Sequence, residues 1–313
     1  MLAFVIRRLG SMVVVMLLVA SLVFIIVRVV PGDPAAVMLG DLATPADVAA
    51  LRAELGLDGP IPTQFAIYLK QILVGDLGRS IFFNQPVVEA MLGRAELTLS
   101  LTLMAISVAV AIGVPLGIVS AVRRGTGLGQ ALTAGAMLAA SLPSFWIGLT
   151  LIHYFAVNLG WLPVAGYGPP DSSLTERLRY LVLPSLALGI PSSALIMRFT
   201  RTSMLDVLEE DYIRTARAKG APAVLVVLKH ALRNAAIPIL TVLGLTIAVL
   251  MGGAIVTETV FALPGVGRMI VQAVLYRDYP VIQGALLVVS GIYVLINLAV
   301  DLLYAVVDPR IHY

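Results

Sequence analysis

The feature that most limits the fold of this chain is a series of long apolar runs separated by shorter polar segments. A membrane-spanning helix needs roughly 20 mostly apolar residues to cross about 30 Å of hydrocarbon. Six runs reach that length, at residues 9–30, 97–122, 131–157, 180–200, 235–257 and 281–307. Hydrophobic residues make up 59% of the chain, more than a soluble protein could cover with polar surface. The sequence therefore predicts an all-α membrane protein with six spans.

The first run, residues 9–30, follows Arg7 and Arg8, a pattern that also begins a secretory signal peptide. The apolar core of a signal peptide is only about 7–15 residues long, and a cleavage site of small residues follows it. Because this run is longer and no such site follows convincingly, we interpret it as a retained first span.

Positive charge is concentrated in three segments that fall on one side of the membrane if the six spans alternate. Arg7 and Arg8 precede the first span, and Arg123 and Arg124 join the second and third. The connection between the fourth and fifth spans carries Arg201, Arg214, Arg217, Lys219, Lys229 and Arg233. Since Lys and Arg mark cytoplasmic loops, both termini are predicted to be cytoplasmic, with outer segments at 31–93, 158–178 and 258–280.

The first outer segment carries signals for short helices. Thr44, Pro45 and Asp47 read as an N-cap, a proline at the first helical position and an acidic residue at the third, and Gly56 reads as the stop. A second amphipathic helix is predicted from about Pro62 to Gly75.

Five prolines fall inside the apolar runs, and each removes a backbone donor and tends to kink its helix. They are Pro115, Pro143, Pro184, Pro191 and Pro238. Kinked helices suit a transporter that changes shape, but prolines are also ordinary features of membrane helices.

The most charged stretch, "EEDYIRTARAKG" at 209–220, lies in the predicted cytoplasmic connection between the fourth and fifth spans. We predict a helix over 206–220 with Leu208, Tyr212 and Ala216 on one narrow face. Its acids precede its bases, which complements the helix dipole, and Glu210 is expected to pair with Arg214. Such a helix could lie on anionic lipid or bind a protein partner. Three consecutive acids and a small apolar face favour the protein partner.

The sequence also limits the chemistry. The chain has no cysteine, and its three histidines (His153, His230 and His312) are far apart, which argues against a metal site. His153 either lines a pathway or is a packed or hydrogen-bonded residue. No Gly-x4-Gly-Lys-Ser/Thr loop is present, so ATP binding would need another subunit. The motifs of serine and zinc proteases are also absent from the sequence.

Several stretches resemble the permeases of ABC importers, in the branch that carries peptides, nickel and glutathione. These are "PGDPA", "LGLDGPI", "GDLGRS", "SLPSFWIG", "LGWLPVAGYG", "LPSLALG", "RFTRTSMLDVL", "DYIRTARAKG", "ETVFALPGVGRMIVQAVLYRDYPVIQG" and "DPRIHY". Their order and spacing cover nearly the whole chain. The resemblance implies a six-span type I ABC importer permease fold. It divides the chain into residues 1–94, a first span with an outer segment, and 95–313, a core of five helices with a coupling helix at about 206–220.

In that family the charged cytoplasmic helix docks into a groove of the ATP-binding subunit. The general motif is Glu-Ala-Ala, three residues, then Gly. Gly220 matches the glycine and Ala216 the second alanine, whereas Thr215 and Arg214 replace the first alanine and the glutamate. The residues expected to couple to the ATPase are Asp211, Tyr212, Thr215, Ala216, Arg217 and Gly220. An outer loop near the pathway or the binding protein is expected at Phe261, Pro264, Gly265, Gly267, Asp278, Tyr279 and Pro280.

The resemblance implies a non-catalytic subunit of a bacterial inner-membrane importer for peptides, glutathione or nickel complexes, with no cofactor of its own. Its implied partners are a second permease, two ATP-binding subunits that hold ATP and Mg, an external substrate-binding protein and the lipid bilayer, with no nucleic acid. An ion-driven secondary carrier that works alone is the alternative function. A membrane scaffold without transport is a third possibility. Carriers of the secondary kind usually place acids near the bilayer midplane, whereas the acids here lie near the predicted span ends.

Overall fold

The computed structural model describes residues 2–29, 34–40, 43–54, 56–169 and 171–307. Within these ranges the chain is helical, apart from loops and one isolated β-bridge between Arg79 and Pro86. The helices are α1 (Leu2–Val29), α2 (Pro34–Leu39), α3 (Pro45–Glu54), α4 (Ile61–Leu73), α5 (Val87–Val122), α6 (Gly127–Ser141), α7 (Ser144–Leu151), α8 (Leu174–Leu208), α9 (Asp211–Ala218), α10 (Ala223–Leu225), α11 (Leu232–Val260), α12 (Val266–Leu275) and α13 (Tyr279–Val307). Two π-helical segments, Ile152–Asn158 and Val226–Ala231, continue α7 and α10.

Five stretches of the described helices are long and apolar enough to cross a membrane. They are Ile6–Val27, Val87–Val122, Leu174–Leu208, Ala223–Val260 and Tyr279–Val300. Each overlaps one of the six apolar runs, so five of the predicted spans are confirmed as helices. The helical segments at 87–122, 174–208 and 223–260 extend beyond the apolar runs into polar sequence.

The third predicted span, 131–157, is not one continuous helix. Gly127–Ser141 and Ser144–Asn158 pass the length and hydropathy test together but are bent by 95°. At the break Leu142 is extended (φ −84°, ψ 127°), and Pro143 follows with ψ 138°. The proline ring disfavours the α conformation of the preceding residue, which ends α6 and lets α7 start in a new direction. The remaining prolines inside apolar runs (Pro115, Pro184, Pro191 and Pro238) lie within helices.

The described chain divides into two compact units. One contains the described residues up to Glu96 together with Arg268–Leu295. The other contains Leu97–Gly267 and the described residues from Ile296 onward. The division of the chain after residue 94 that the family resemblance implies stays a prediction.

In the first unit the predicted outer helices are present. The Thr44 hydroxyl accepts the N–H of Asp47 (3.3 Å), and the Asp47 carboxylate accepts the N–H of Thr44 (3.0 Å), so α3 begins with a reciprocal cap. Gly56, with φ +65°, follows its end as predicted. Phe24 of α1 packs edge-on against Phe65 of α4, with 5.0 Å between ring centroids, which joins the first span to this outer segment.

In the second unit α5 and α8 approach closely because glycines face the partner helix. A Cβ added to Gly113 would lie 2.7 Å from the carbonyl oxygen of Ser193, and one added to Gly117 would lie 2.6 Å from Cβ of Thr200. Small residues at such crossings allow membrane helices to pack backbone against backbone. One buried cluster of the unit is formed by Leu97, Leu101, Ala105, Ile147, Ala156, Leu181, Leu183, Ala187, Leu188, Leu250, Ala254, Phe261 and Leu263.

Candidate functional site

The charged segment 209–220 forms a short helix of its own, α9, between the long helices α8 and α11. The prediction of one helix over 206–220 is wrong in its first part, because α8 ends at Leu208 and Glu210 takes an extended conformation (ψ 146°). α9 then runs from Asp211 to Ala218. Asp211 in its first turn and Arg217 in its last complement the helix dipole, as the order of charges predicted.

One residue anchors α9 to the rest of the unit. The Ile213 side chain is fully buried (0% exposed) in a cluster with Met204 of α8 and Ile239 of α11. Ala216, three residues later, is half-buried against the same cluster. The face predicted from Leu208, Tyr212 and Ala216 is therefore centred on Ile213 instead. Ile213 is the only branched aliphatic residue of 209–220, which is the signal that could have identified it.

The opposite face of α9 is polar and exposed. Asp211, Arg214, Thr215 and Arg217 are all exposed. Arg214 donates to Asp211, with 3.1 Å between Nη1 and Oδ1, whereas the predicted pair between Arg214 and Glu210 is absent from the ion pairs of the described residues. Since both partners are well exposed, this ion pair contributes little to stability. The exposed face offers charges of both signs and a hydroxyl to a partner.

Tyr212 connects α9 to the start of α11. Asn234 Nδ2 donates to the Tyr212 hydroxyl at 2.7 Å and also to the carbonyl oxygen of His230 at 3.1 Å. Tyr212 remains 41% exposed. It therefore lies at the edge between the packed and exposed faces of α9.

Gly220 ends the segment as predicted. Its φ of +78° lies in the left-handed region, where residues with a Cβ are strained. The N–H of Gly220 donates to the carbonyl of Arg217 (3.0 Å), and the N–H of Ala221 donates to that of Ala216 (3.2 Å). This is the Schellman arrangement, which satisfies the last carbonyls of a helix. Pro222 follows and precedes α10, as expected.

Two of the segments predicted to be cytoplasmic meet at one end of the second unit. Arg124, in the connection between α5 and α6, forms a salt bridge with Glu209, directly before α9. At another place in the unit, two predicted outer segments meet, because the N–H of Gly166 donates to the carbonyl of Phe261 at 2.9 Å. Each contact joins two segments that the sequence predicts to lie on the same side of the membrane, and the orientation itself stays a prediction.

Two of the predicted outer-loop residues, Gly265 and Gly267, pack against a buried acid in the second unit. Glu258, near the end of α11, is fully buried, and the Thr98 hydroxyl donates to its Oε1 at 2.7 Å. A Cβ added to Gly265 would lie 2.2 Å from Cδ of Glu258, and one added to Gly267 would lie 3.0 Å from Oε2. Phe261 is buried whereas Pro264 is exposed. Sequence reasoning placed Glu258 near a span end but missed its role and that of Thr98.

The other outer-loop residues belong to the first unit. Asp278 is 2% exposed and accepts hydrogen bonds from the Ser80 hydroxyl and from the N–H of Phe82 (3.2 Å). Its Oδ1 also accepts the N–H of Val281 (3.4 Å), which caps the start of α13. Tyr279 and Pro280 line a cavity of about 570 Å³ in this unit. The predicted outer-loop residues thus fall into two clusters, one in each unit.

The part of the chain that the structure describes gives no support to a metal site or to a catalytic histidine. Those residues contain no group of three or more His, Cys, Asp or Glu side chains arranged to hold a metal ion. His153 lies in the π-helical segment after α7 and is exposed, with its Nε2 3.4 Å from Nδ2 of Asn158. The contact with Asn158 and the edge-on contact with the Tyr154 ring agree with the interpretation of His153 as a packed or hydrogen-bonded residue, and a role in a pathway stays a prediction.

Comparison with known proteins identifies the family. Residues 113–313 match the family described as "Binding-protein-dependent transport system inner membrane component", and residues 1–102 match its N-terminal counterpart. The chain belongs to this family. It therefore shares the architecture of the permease subunits of ABC importers, and these are membrane subunits without catalytic activity of their own.

Relatives that match over the full length of the chain are named as permease proteins of transport systems. The chain is 45% identical to the "Probable peptide ABC transporter permease protein y4tP" of Sinorhizobium fredii, covering 99% of each protein. It is 43% identical to the "Dipeptide transport system permease protein DppB" of Alkalihalophilus pseudofirmus and 44% identical to the "Glutathione transport system permease protein GsiC" of Salmonella choleraesuis, covering 100% of each chain in both cases.

A solved structure confirms the fold. An inward-facing form of the MetNI methionine ABC transporter aligns with a TM-score of 0.58 at 21% identity, over 71% of this chain and 97% of that one. The resemblance inferred from the sequence motifs is confirmed at the level of family, fold and importer function.

Proposed function

We propose that this chain forms half of the translocation pathway of an ATP-driven importer for small peptides or glutathione in the bacterial inner membrane. Its partners would be a second, homologous permease, two ATP-binding subunits and an external substrate-binding protein. The three full-length relatives named above are permeases for peptides, dipeptides and glutathione, which supports a peptide-like substrate. ATP and Mg would be held by the partner subunits, since this sequence contains no phosphate-binding loop.

The observation that carries the coupling part of the proposal is the two-sided construction of α9. One face is fixed to the chain's own core by Ile213, and the other presents Asp211, Thr215 and Arg217 to solvent. Gly220 and its hydrogen bonds fix the end of the helix. A helix fixed at its centre and at its end moves as a rigid body. A displacement of a docked subunit is then passed on to α8 and α11.

The mechanism that we propose is alternating access. Closure of the two ATPase subunits on ATP would move the docked α9 and, through the Ile213 cluster, the helices α8 and α11. That movement would open the pathway outward to receive the solute from the binding protein. Hydrolysis would return the inward-open state. ATP binding and hydrolysis supply the driving free energy, and the differential affinity of the ATPase pair for the two states determines which state is favoured at each step.

The proposed orientation places both termini and α9 in the cytoplasm. It rests on the concentration of Lys and Arg in the connections that contain Arg124 and α9. The salt bridge between Arg124 and Glu209 supports it, because the two basic connections lie at the same end of their unit.

The experiment uses the full chain purified with its co-purifying subunits and reconstituted in vesicles with the binding protein. Two variants alter α9: Gly220→Pro is incompatible with φ +78°, and Arg217→Glu reverses an exposed charge. We expect both to reduce peptide uptake per ATP hydrolysed at least about tenfold, roughly 1.4 kcal/mol of coupling. The matched control is Lys70→Glu, which makes the same charge reversal on α4 and should leave uptake unchanged.

The same vesicles test the alternative function. Uptake driven by an ion gradient without ATP would identify a secondary carrier and overturn the proposal. Uptake that needs ATP but is indifferent to both α9 variants would leave the importer assignment standing and reject α9 as the coupling element.

A further inference from the structure

A second cavity lies beside the connection between α5 and α6, in the unit formed by Leu97–Gly267. It has a volume of about 310 Å³, at the lower end of the range of about 300–1,000 Å³ typical of small-molecule sites. Its lining includes Arg124, Arg201, Gln130, Thr133 and Met137. None of these residues belongs to the exposed face of α9 assigned to coupling.

Arg201 is the lining residue whose charge a bound ligand would balance. Its side chain is half-buried, and its Nε is shielded from solvent with no hydrogen-bond partner among the residues that the structure describes. A buried donor on a charged group is unfavourable unless an acceptor or counter-ion is supplied. The second cation, Arg124, is already paired with Glu209. The cavity therefore keeps net positive charge, centred on Arg201.

The wall of the cavity is rigidly built. Thr126 caps α6 by accepting the N–H of Gly129 (3.2 Å) and donates its hydroxyl to the carbonyl of Arg123 (2.7 Å). Gly129 is buried, and a Cβ there would lie 2.5 Å from that same carbonyl oxygen. Gly125 completes the turn with φ +80°. A site held in a fixed shape loses little conformational entropy when a ligand binds.

The cavity has both a polar and an apolar end. Arg124 and Arg201 contribute charge, whereas Ala134 and Met137 continue along the apolar helix α6, where Met137 is exposed. A free phosphate would use only the charged end. An anionic phospholipid matches both, with its phosphate at the arginines and an acyl chain along α6. Basic pockets between membrane helices on the cytoplasmic side are suited to such headgroups.

We propose that this cavity binds the phosphate headgroup of an anionic phospholipid, with Arg201 as its main counter-charge. Which leaflet of the membrane supplies the lipid depends on the proposed orientation, whereas the preference for an anionic headgroup does not. The bound lipid would lie beside Glu209, at the junction between α8 and α9. It would neutralise the charge of Arg201 near the proposed coupling element.

The test is lipid retention by the full chain with its co-purifying subunits, measured by native mass spectrometry after exchange into phosphatidylglycerol or phosphatidylcholine with matched acyl chains. We expect selective retention of phosphatidylglycerol and a loss of about fivefold for Arg201→Gln. Arg201→Lys should retain most of the binding. Arg198→Gln, an exposed arginine one turn earlier on α8, is the matched control and should bind like the unaltered chain. Monodispersity and thermal midpoint verify that each variant is folded.

Four results would overturn the proposal. Equal retention of the two lipids, or an equal loss for Arg198→Gln, would show that the cavity is not selective for an anionic headgroup. Arg201-dependent binding of inorganic phosphate that displaces the lipid would assign the site to free phosphate. A partner subunit's carboxylate found within hydrogen-bond distance of Arg201 in a structure of the complex would make the cavity a protein interface. None of these measurements depends on transport, so failure here leaves the proposed function untouched.

Discussion

Thr98 of α5 donates its hydroxyl to the buried carboxylate of Glu258 on α11, with 2.7 Å between the two oxygens, and the same hydroxyl oxygen accepts the N–H of Val266 at 2.9 Å. One threonine thus connects an acid at the end of one helix to the first residue of the next. The carbonyl of Glu258 also accepts the N–H of Leu263 (2.8 Å). The turn at 261–267 is therefore fixed by polar contacts in a buried setting, where they are costly to break.

The glycines of that turn serve to admit the Glu258 carboxylate. Gly265→Ala would place a Cβ 2.2 Å from Cδ of Glu258, closer than real Cβ atoms come to any neighbour. Overpacking of this kind costs about 1–3 kcal/mol. We expect a lower thermal midpoint for the purified chain and reduced uptake in vesicles.

Gly252→Ala is the control for that substitution, because a Cβ at this position of α11 meets nothing within 4 Å. Alanine in a helix interior is favoured over glycine by about 0.5–1 kcal/mol, so this variant should melt at or above the midpoint of the unaltered chain. If Gly265→Ala and Gly252→Ala had the same thermal midpoint, the close packing around Glu258 would be contradicted.

The sequence predicted these glycines as part of an outer loop, but not why they are needed. "PGVG" resembles any glycine-rich turn, and Glu258 counted only as an acid near a span end. Thr98 lies 160 residues away along the chain, so no local pattern connects it to Glu258. Long-range contacts of this kind depend on how α5 and α11 pack, which periodicity within one helix does not encode.

Ile213 is the residue on which the stability of α9 depends. Truncation of a fully buried isoleucine to alanine costs about 2–5 kcal/mol, whereas Ile213→Val costs about 0.5–1.5 kcal/mol. Loosening this anchor leaves the exposed face chemically intact but disconnects it from α8 and α11. We therefore expect Ile213→Ala to keep its association with the ATPase subunits and to lose most uptake per ATP hydrolysed, with Ile213→Val close to normal. Complete loss of association in Ile213→Ala would show instead that α9 had unfolded.

The salt bridge between Arg124 and Glu209 is expected to orient the two segments that it joins rather than to stabilise the fold. Their side chains are 61% and 66% exposed, and exposed ion pairs contribute about 0–1 kcal/mol. A double-mutant cycle with Arg124→Gln and Glu209→Gln, followed by thermal unfolding, should give a coupling below about 1 kcal/mol that shrinks further in high salt. A larger, salt-insensitive coupling would place this pair in a desolvated site.

Local signals predicted the caps at Thr44 and Gly220 well, but they predicted the start of α9 and the long-range geometry poorly. The caps at Thr44 and Gly220 were correct because a cap involves neighbouring residues and one backbone conformation. Pro143 predicts a kink, but the sequence does not distinguish a kink from the 95° break between α6 and α7. Pro184 and Pro191 lie within α8, so the outcome at each proline depends on packing around it.

Asp47 makes the start of α3 sensitive to acid. Hydrogen bonds from the side chain and backbone of Thr44 hold the pKa of Asp47 below its ordinary value of 3.8. A carboxyl whose pKa is lower in the folded state contributes stability above its unfolded pKa and loses it as the pH falls through the folded value. The cap should therefore be intact at neutral pH and weaken only below 3.8.

Hydrogen exchange over residues 45–54, corrected for the intrinsic pH dependence, measures this effect on α3. We expect protection to fall as the pH drops below the ordinary pKa of Asp47. Asp47→Asn, which keeps an acceptor but does not ionise, should show protection independent of pH in that window. Thr44→Ala removes the hydroxyl donor and should move the loss of protection to higher pH, because the Asp47 pKa then returns toward its ordinary value. A transition that stayed in place in Thr44→Ala would rule out this cap as the titrating element.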